Sequence, residues 1–211
     1  MKQQEYAINP LWPTPVYESA IVNNFEEVQH ELDECLAQCE FSTSDIKRYP
    51  HLISDPTFSE NLIEKYNLKY FKEELTKHID NYTREVGYAG EPNFYICNSW
   101  FALFKKGMWG RIHHHSPSAI SGVYYHRTNG ADASLFFKCP DAAMTASSVF
   151  GELAEFKGCP PRDGMLLLFP SYLEHGIVQH DGDLPRISLS FNINHHWDHA
   201  FNINHDGDHA V

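Results

Sequence analysis

The stretch Arg186-Ile-Ser-Leu-Ser-Phe-Asn-Ile193 alternates without a break, with Arg186, Ser188, Ser190 and Asn192 falling between Ile187, Leu189, Phe191 and Ile193. Successive strand side chains point to opposite faces, so this segment reads as a strand with one polar and one wholly apolar face. In an ordinary sandwich the polar face would meet solvent. If amphipathic helices instead cover the apolar face, the polar face looks inward. A buried Arg186 then needs an anionic partner, because an unpaired buried charge is costly, and a dicarboxylate ligand supplies one.

Such helices precede the strand. Pro10, Pro13 and Pro15 mark an extended leading segment that runs into a short strand around residues 16–22. Phe25, Val28, Leu32, Leu36 and Cys39 then recur at helical spacing, with Asn23 or Asn24 as N-cap candidates and Glu26 or Glu27 three positions on. A second helical region opens on the capping-box pattern Thr57-Phe-Ser-Glu60, repeats at Phe71, Leu75, Ile79, Tyr82 and Val86, and stops at Gly87. After Gly90 the texture changes. Residues 94–101, 119–125, 134–137, 165–169 and 187–193 are short runs rich in aromatic and aliphatic residues, separated by Gly, Pro, Asn and Asp. Strands bunched after helices, instead of alternating with them, predict an antiparallel, mainly β core backed by N-terminal supporting helices, most economically a jelly roll. At 211 residues the chain suits one domain. Within it, residues 1–90 form an N-terminal arm and helices, 91–195 the jelly-roll core and 196–211 a tail.

Composition narrows the function classes. A formal charge of −12 and the absence of a basic patch argue against nucleic acid and against anionic membrane surfaces. No apolar signal core and no run of eighteen apolar residues is visible, so a cytoplasmic location is expected. Five scattered cysteines, an odd number, read as ordinary thiols.

The chemistry sits in the histidines. On an extended strand His113 and His115 point to the same side while His114 faces away, and a distant His175 could complete a facial set of three protein ligands. Such a set leaves positions open for a chelating cosubstrate and dioxygen, as non-haem iron(II) chemistry requires. Arg186 follows His175 by eleven residues.

Four segments carry a resemblance: Asn98-Ser-Trp, His113-His-His-Ser-Pro-Ser-Ala-Ile-Ser-Gly-Val-Tyr-Tyr125, Leu168-Phe-Pro-Ser-Tyr-Leu-Glu-His175 and Arg186-Ile-Ser-Leu-Ser-Phe-Asn-Ile193. Together, and in this order, they resemble the iron(II)/2-oxoglutarate oxygenase family with motifs HxHP…SGVYYL, LFPSWLEH and RISISFNI. The resemblance runs from about Leu11 to Ile193. It implies a double-stranded β-helix, the cupin-like jelly roll, and an oxidoreductase, a dioxygenase that hydroxylates its substrate with release of succinate and carbon dioxide. It also implies His113, His115 and His175 as ligands of Fe(II), and Arg186 as the residue binding the distal carboxylate of 2-oxoglutarate. Ser188 could add a hydroxyl beside Arg186. Tyr125 resembles the tyrosine that meets the same carboxylate in related prolyl hydroxylases, and Asn98 is a further cosubstrate candidate. No catalytic residue is expected beyond the metal centre.

His115 stands where the commonest facial triad has Asp or Glu, a feature of this family's own HxH pattern. Three neutral imidazoles still bind iron(II), but the lost anionic ligand leaves zinc and nickel as alternatives. Two other readings stay open: a three-histidine dioxygenase that does not use 2-oxoglutarate, and a cupin-like metal-binding protein without turnover. The primary substrate, a small molecule or a peptide, is not encoded legibly, and oligomeric state is open, a homodimer included. His126 and His180 read as hydrogen-bonded or surface histidines, Trp100, Trp109 and Tyr172 as core or pocket wall, and Lys105-Lys-Gly107 as an exposed turn. Finally, Phe191-Asn-Ile-Asn-His-His-Trp-Asp-His-Ala200 is followed by Phe201-Asn-Ile-Asn-His-Asp-Gly-Asp-His-Ala210, identical at eight of ten positions. One copy completes the core strand and the other is redundant for the fold.

Overall fold

A computed structural model describes residues 13–43, 50–55, 57–88, 90, 93–128, 133–149, 151–152 and 156–196. In chain order these form β1 (Tyr17–Ala20), α1 (Phe25–Leu36), β2 (Leu52–Ile53), α2 (Leu62–Lys65), α3 (Lys69–Glu85), β3 (Phe94–Phe104), β4 (Gly110–His113) and β5 (Ile120–Arg127). There follow β6 (Leu135–Phe137), α4 (Ala142–Thr145), β7 (Lys157–Cys159), β8 (Met165–Pro170), β9 (His175–Ile177) and β10 (Arg186–His195). The second copy of the duplicated segment lies outside the described residues.

The strands pair into two antiparallel sheets, a large one in the order β1-β8-β5-β10-β3-β2 and a small one in the order β4-β9-β6-β7. Two mainly antiparallel sheets whose inner faces meet, with helices on the outside of the larger, are the double-stranded β-helix expected from the sequence. The large sheet takes both of its edge strands, β1 and β2, from the part of the chain before residue 91.

Alternation along β10 decides which residues reach the helices. Leu189, Phe191 and Ile193 pack with Val28 and Leu32 of α1 and Phe71 and Leu75 of α3 in one apolar cluster. Each such side chain, fully buried, contributes about 1.5–3 kcal/mol. Phe191 also needs space across the sheet: a Cβ on Gly122 would sit 2.3 Å from its ring, so β5 carries glycine there. On the inner face, Val123, Tyr125, Leu167 and Phe169 meet Leu135 and Phe137 of the small sheet.

Val28, Leu32, Phe71, Leu75, Ile79 and Tyr82 are buried as expected, whereas Phe25 and Val86 are exposed, Cys39 lies beyond the end of α1, and the caps differ from those expected. Asn24 adopts a left-handed conformation (φ 51°) without a side-chain cap, and its amide instead donates to Glu74 Oε1 at 3.0 Å, tying α1 to α3. The Thr57-to-Glu60 pattern opens no helix. The Asp55 carboxylate collects the Thr57 and Glu60 backbone N–H groups, and α2 starts only after Asn61. Asn67, at φ 48°, then breaks the second region into α2 and α3. The N-terminus of α3 is capped from a distance: Glu31 of α1 accepts from the Tyr70 and Phe71 N–H groups at 3.0 and 3.1 Å, placing an anion at the positive end of the helix. Gly87, at φ 81°, follows the end of α3. All five cysteines are free, and only Cys35 is fully buried.

Candidate metal centre

At one end of the space between the sheets lies a cavity of about 630 Å³. Its floor is the polar face of β10, where Arg186, Ser188, Ser190 and Asn192 all line it, and its far wall comes from β4 and β9. The inward placement argued from alternation is thus met.

His113, His115 and His175 meet at this cavity, their ligand-capable atoms all within 4.8 Å of one another. Ring centroids are 4.8 Å apart for His113 and His115, 4.6 Å for His113 and His175, and 5.2 Å for His115 and His175. Antiparallel pairing sets His113 on β4 directly across from His175 on β9. His114 lies outside the group, its Nδ1 accepting from the Ser116 N–H at 3.3 Å. The local conformation differs from expectation: β4 ends at His113, so the two imidazoles do not share a regular strand. His115 is carried beyond it, its N–H donating to the Ser171 carbonyl at 2.8 Å.

The chemistry of the donors fits a divalent metal. The His113 ring faces the Arg111 carbonyl through Nδ1 at 2.7 Å, and the His175 ring faces the Leu173 carbonyl through Nδ1 at 2.9 Å. A carbonyl only accepts, so both Nδ1 atoms carry the proton and both Nε2 atoms keep a lone pair. Loss of hydration in the cavity holds all three imidazoles below the usual histidine range, His115 down to about 3, with neighbouring histidines adding to the effect on each, although the His113 residue as a whole stays exposed. Neutral imidazoles are the ligating form.

Arg186 is buried deeper, at 1% exposure. Its guanidinium carbon lies 4.9 Å from the Phe104 ring and 4.8 Å from the Tyr125 ring, a slot between two aromatics. Ser188, also 1% exposed, sits opposite Tyr125 in the strand pairing. Burial raises the Tyr125 hydroxyl above the ordinary tyrosine range and the Arg186 charge partly offsets this. Arg186, Ser188 and Tyr125 therefore form one group, as the sequence suggested. Asn98 lines the cavity but is engaged at both ends of its amide, donating to the Phe58 carbonyl at 2.8 Å and accepting from Asn192 at 2.9 Å.

Several wall residues were not legible in the sequence. His51, in the segment before β2, stacks on Phe104 at 4.5 Å and 14°, and burial lowers its pKa to about 4. Phe58 meets Trp100 edge-on at 5.0 Å, and Trp100 flanks His115 at 5.7 Å. No periodicity marks His51 or Phe58, because neither lies in a regular element. Trp100 is buried pocket wall as expected, whereas Trp109 (43%) and Tyr172 (56%) are exposed. His126 and His180 are buried and hydrogen-bonded, to Asp33 at 2.6 Å and to the Leu184 carbonyl at 2.8 Å. No helix among the described residues is long and apolar enough to cross a membrane.

Residues 98–192, the segment holding every one of these candidate ligands, match the model of the family described as "Putative 2OG-Fe(II) oxygenase". No curated protein matches the chain in sequence. Among solved structures, the chain is similar to a Pseudomonas putida prolyl-4-hydroxylase (18% identity, TM-score 0.57, 87% of this chain and 94% of that one). It is also similar to the 2-oxoglutarate-dependent epimerase SnoN of nogalamycin biosynthesis (15%, TM-score 0.62, 86% and 77%). A third is HygX of Streptomyces hygroscopicus, solved with nickel and 2-oxoglutarate bound (12%, TM-score 0.60, 87% and 84%). The family match covers a little under half of the chain, and these solved structures, all below 25% identity, share its fold.

Proposed function

We infer that the chain is an Fe(II)- and 2-oxoglutarate-dependent oxygenase that hydroxylates a small-molecule or peptide substrate. The observation that carries this reading is the pairing, in one cavity, of three neutral imidazoles with a buried guanidinium. His113, His115 and His175 hold the metal. Arg186 takes the distal carboxylate of 2-oxoglutarate between Phe104 and Tyr125, where a charge-assisted bidentate contact is favoured by exclusion of water. Ser188 and Tyr125 offer hydroxyls to the same carboxylate. Bound iron(II) and 2-oxoglutarate supply the oxidative decarboxylation that drives substrate oxidation.

The placement of Arg186 favours this over a three-histidine dioxygenase without a cosubstrate: its guanidinium is buried between Phe104 and Tyr125 and lines the same cavity as the three imidazoles. The prolyl hydroxylase of Trichoplax adhaerens was solved with a peptide, and HygX with hygromycin B. That range matches a cavity large enough for 2-oxoglutarate and a second ligand. Purified protein given Fe(II), 2-oxoglutarate and air should form succinate slowly even without its substrate. Metal binding without any succinate or oxygen consumption would favour a protein that binds metal without turnover.

A further inference from the structure

Two of the three clustered imidazoles are held by ring hydrogen bonds to backbone carbonyls. The His115 ring has no such bond among the described residues, and its residue lies beyond the end of β4, outside the sheet ladder. Besides the two neighbouring imidazoles, it is held by its backbone, whose N–H donates to the Ser171 carbonyl and whose carbonyl accepts from the Ser118 N–H, and by the side of the Trp100 ring.

Ser171 heads a row of buried polar side chains. Its Oγ lies 2.7 Å from Ser121 Oγ, Ser121 Oγ donates to Asn192 Oδ1 at 2.8 Å, Asn192 Nδ2 donates to Asn98 Oδ1 at 2.9 Å, and Asn98 Nδ2 donates to the Phe58 carbonyl at 2.8 Å. Ser121, Asn192 and Asn98 are direct cross-strand partners on β5, β10 and β3, so the row crosses three central strands at one level. The Phe58 carbonyl can only accept, which orients every amide in turn. Ser121 spends its one proton on Asn192, so Ser171 must donate to Ser121. The row is therefore directional, every member joined to the next, and such largely buried networks rigidify what they hold. Both of its ends return to His115: Ser171 through the backbone, and Phe58 through its edge-on contact with Trp100, which flanks the His115 ring.

We propose that Ser171, Ser121, Asn192 and Asn98 are positioning residues for His115, replacing the ring-to-carbonyl bond that orients the other two histidines. The proposal rests on the metal-site reading above. It assigns Asn98 to holding a metal ligand and not to the cosubstrate.

Co(II) alone, titrated into metal-free protein and followed by its visible absorption, tests it. Partners of this kind alter metal affinity by roughly 10- to 100-fold. Ser121→Ala and Ser171→Ala should weaken Co(II) about tenfold and shift its absorption. Ser171→Ala removes a donor at the head of the row without stranding another, so it remains informative should Ser121→Ala not fold. Thr83→Ala, which removes a buried hydroxyl from α3, should lower thermal stability and leave Co(II) affinity unchanged. In a His115→Ala background, Ser171→Ala should cost no further affinity, because it acts through that ligand. Wild-type-like affinity and absorption in Ser121→Ala and Ser171→Ala would overturn the proposal while leaving the metal site standing. No Co(II) binding by the wild-type protein would remove both.

Discussion

On its helix side, β10 packs Leu189, Phe191 and Ile193 into an apolar cluster with α1 and α3, while on its cavity side the same strand presents Arg186, Ser188 and Asn192. The first set is held by volume alone, so neighbouring side chains could exchange size for size. The second is held by directed contacts, and a change of one atom type alters the chemistry. A period of two thus separates what keeps this chain folded from what it does, along a single segment.

The sharpest way to break that separation is to attack the cavity side first. His175→Ala, which removes the most buried of the three imidazoles, should abolish Fe(II) retention and succinate formation while leaving the far-ultraviolet circular dichroism unchanged. Turnover in a folded His175→Ala protein would undo the division. On the opposite face, Phe191→Ala should cost roughly 3–5 kcal/mol of stability in denaturant unfolding, as for other buried phenylalanines. The surviving folded fraction should bind 2-oxoglutarate normally.

Arg186→Ala sharpens the comparison within the cavity. Hydrogen bonds to charged groups contribute about 1.5–3 kcal/mol, so 2-oxoglutarate affinity should fall roughly 10- to 100-fold, with Fe(II) affinity unchanged. Equal loss of both ligands would mean that Arg186 supports the pocket in general and not the carboxylate.

A further test concerns protons. Desolvation lowers the pKa values of His113, His115, His175 and His51 at the cavity, and also of His78 and His126 elsewhere. Unfolded, these imidazoles take up protons near pH 6.5. Folded, they do so only below that, at about 4 for His51 and about 3 for His115. Between those limits the unfolded chain binds more protons, so stability of the metal-free protein should decline as pH falls below about 6.5. A metal-free stability that stays flat from pH 7 to pH 5 would contradict the burial of neutral histidines.

Legibility followed the same division. The alternation of 186–193 identified both faces of β10, and helical spacing found Phe71, Leu75 and Ile79, because periodic burial writes a periodic pattern. Two-residue spacing points to His113 and His115, with His175 matched only through the motif resemblance, although β4 ends at His113 and His115 lies beyond it. Caps were misread where tertiary partners took over, as Glu31 does for α3 and Glu74 for Asn24. His51 and Phe58 left no trace, since their positions come from irregular segments folded against β3. The Ser171-to-Asn98 row was equally invisible: Ser121, Asn192 and Asn98 lie far apart in the chain, and only strand register brings them level.

The central claim is that one cavity holds Fe(II) and 2-oxoglutarate together on His113, His115, His175 and Arg186. Anaerobic titration of Fe(II) into the protein with 2-oxoglutarate present, monitored by the visible charge-transfer band of the chelate, tests it directly. The expected result is a band that saturates at one equivalent, is kept in His115→Asp and His114→Ala, and is lost in His175→Ala. Absence of the band in the wild-type protein, or its loss in His114→Ala with retention in His115→Ala, would contradict the assignment.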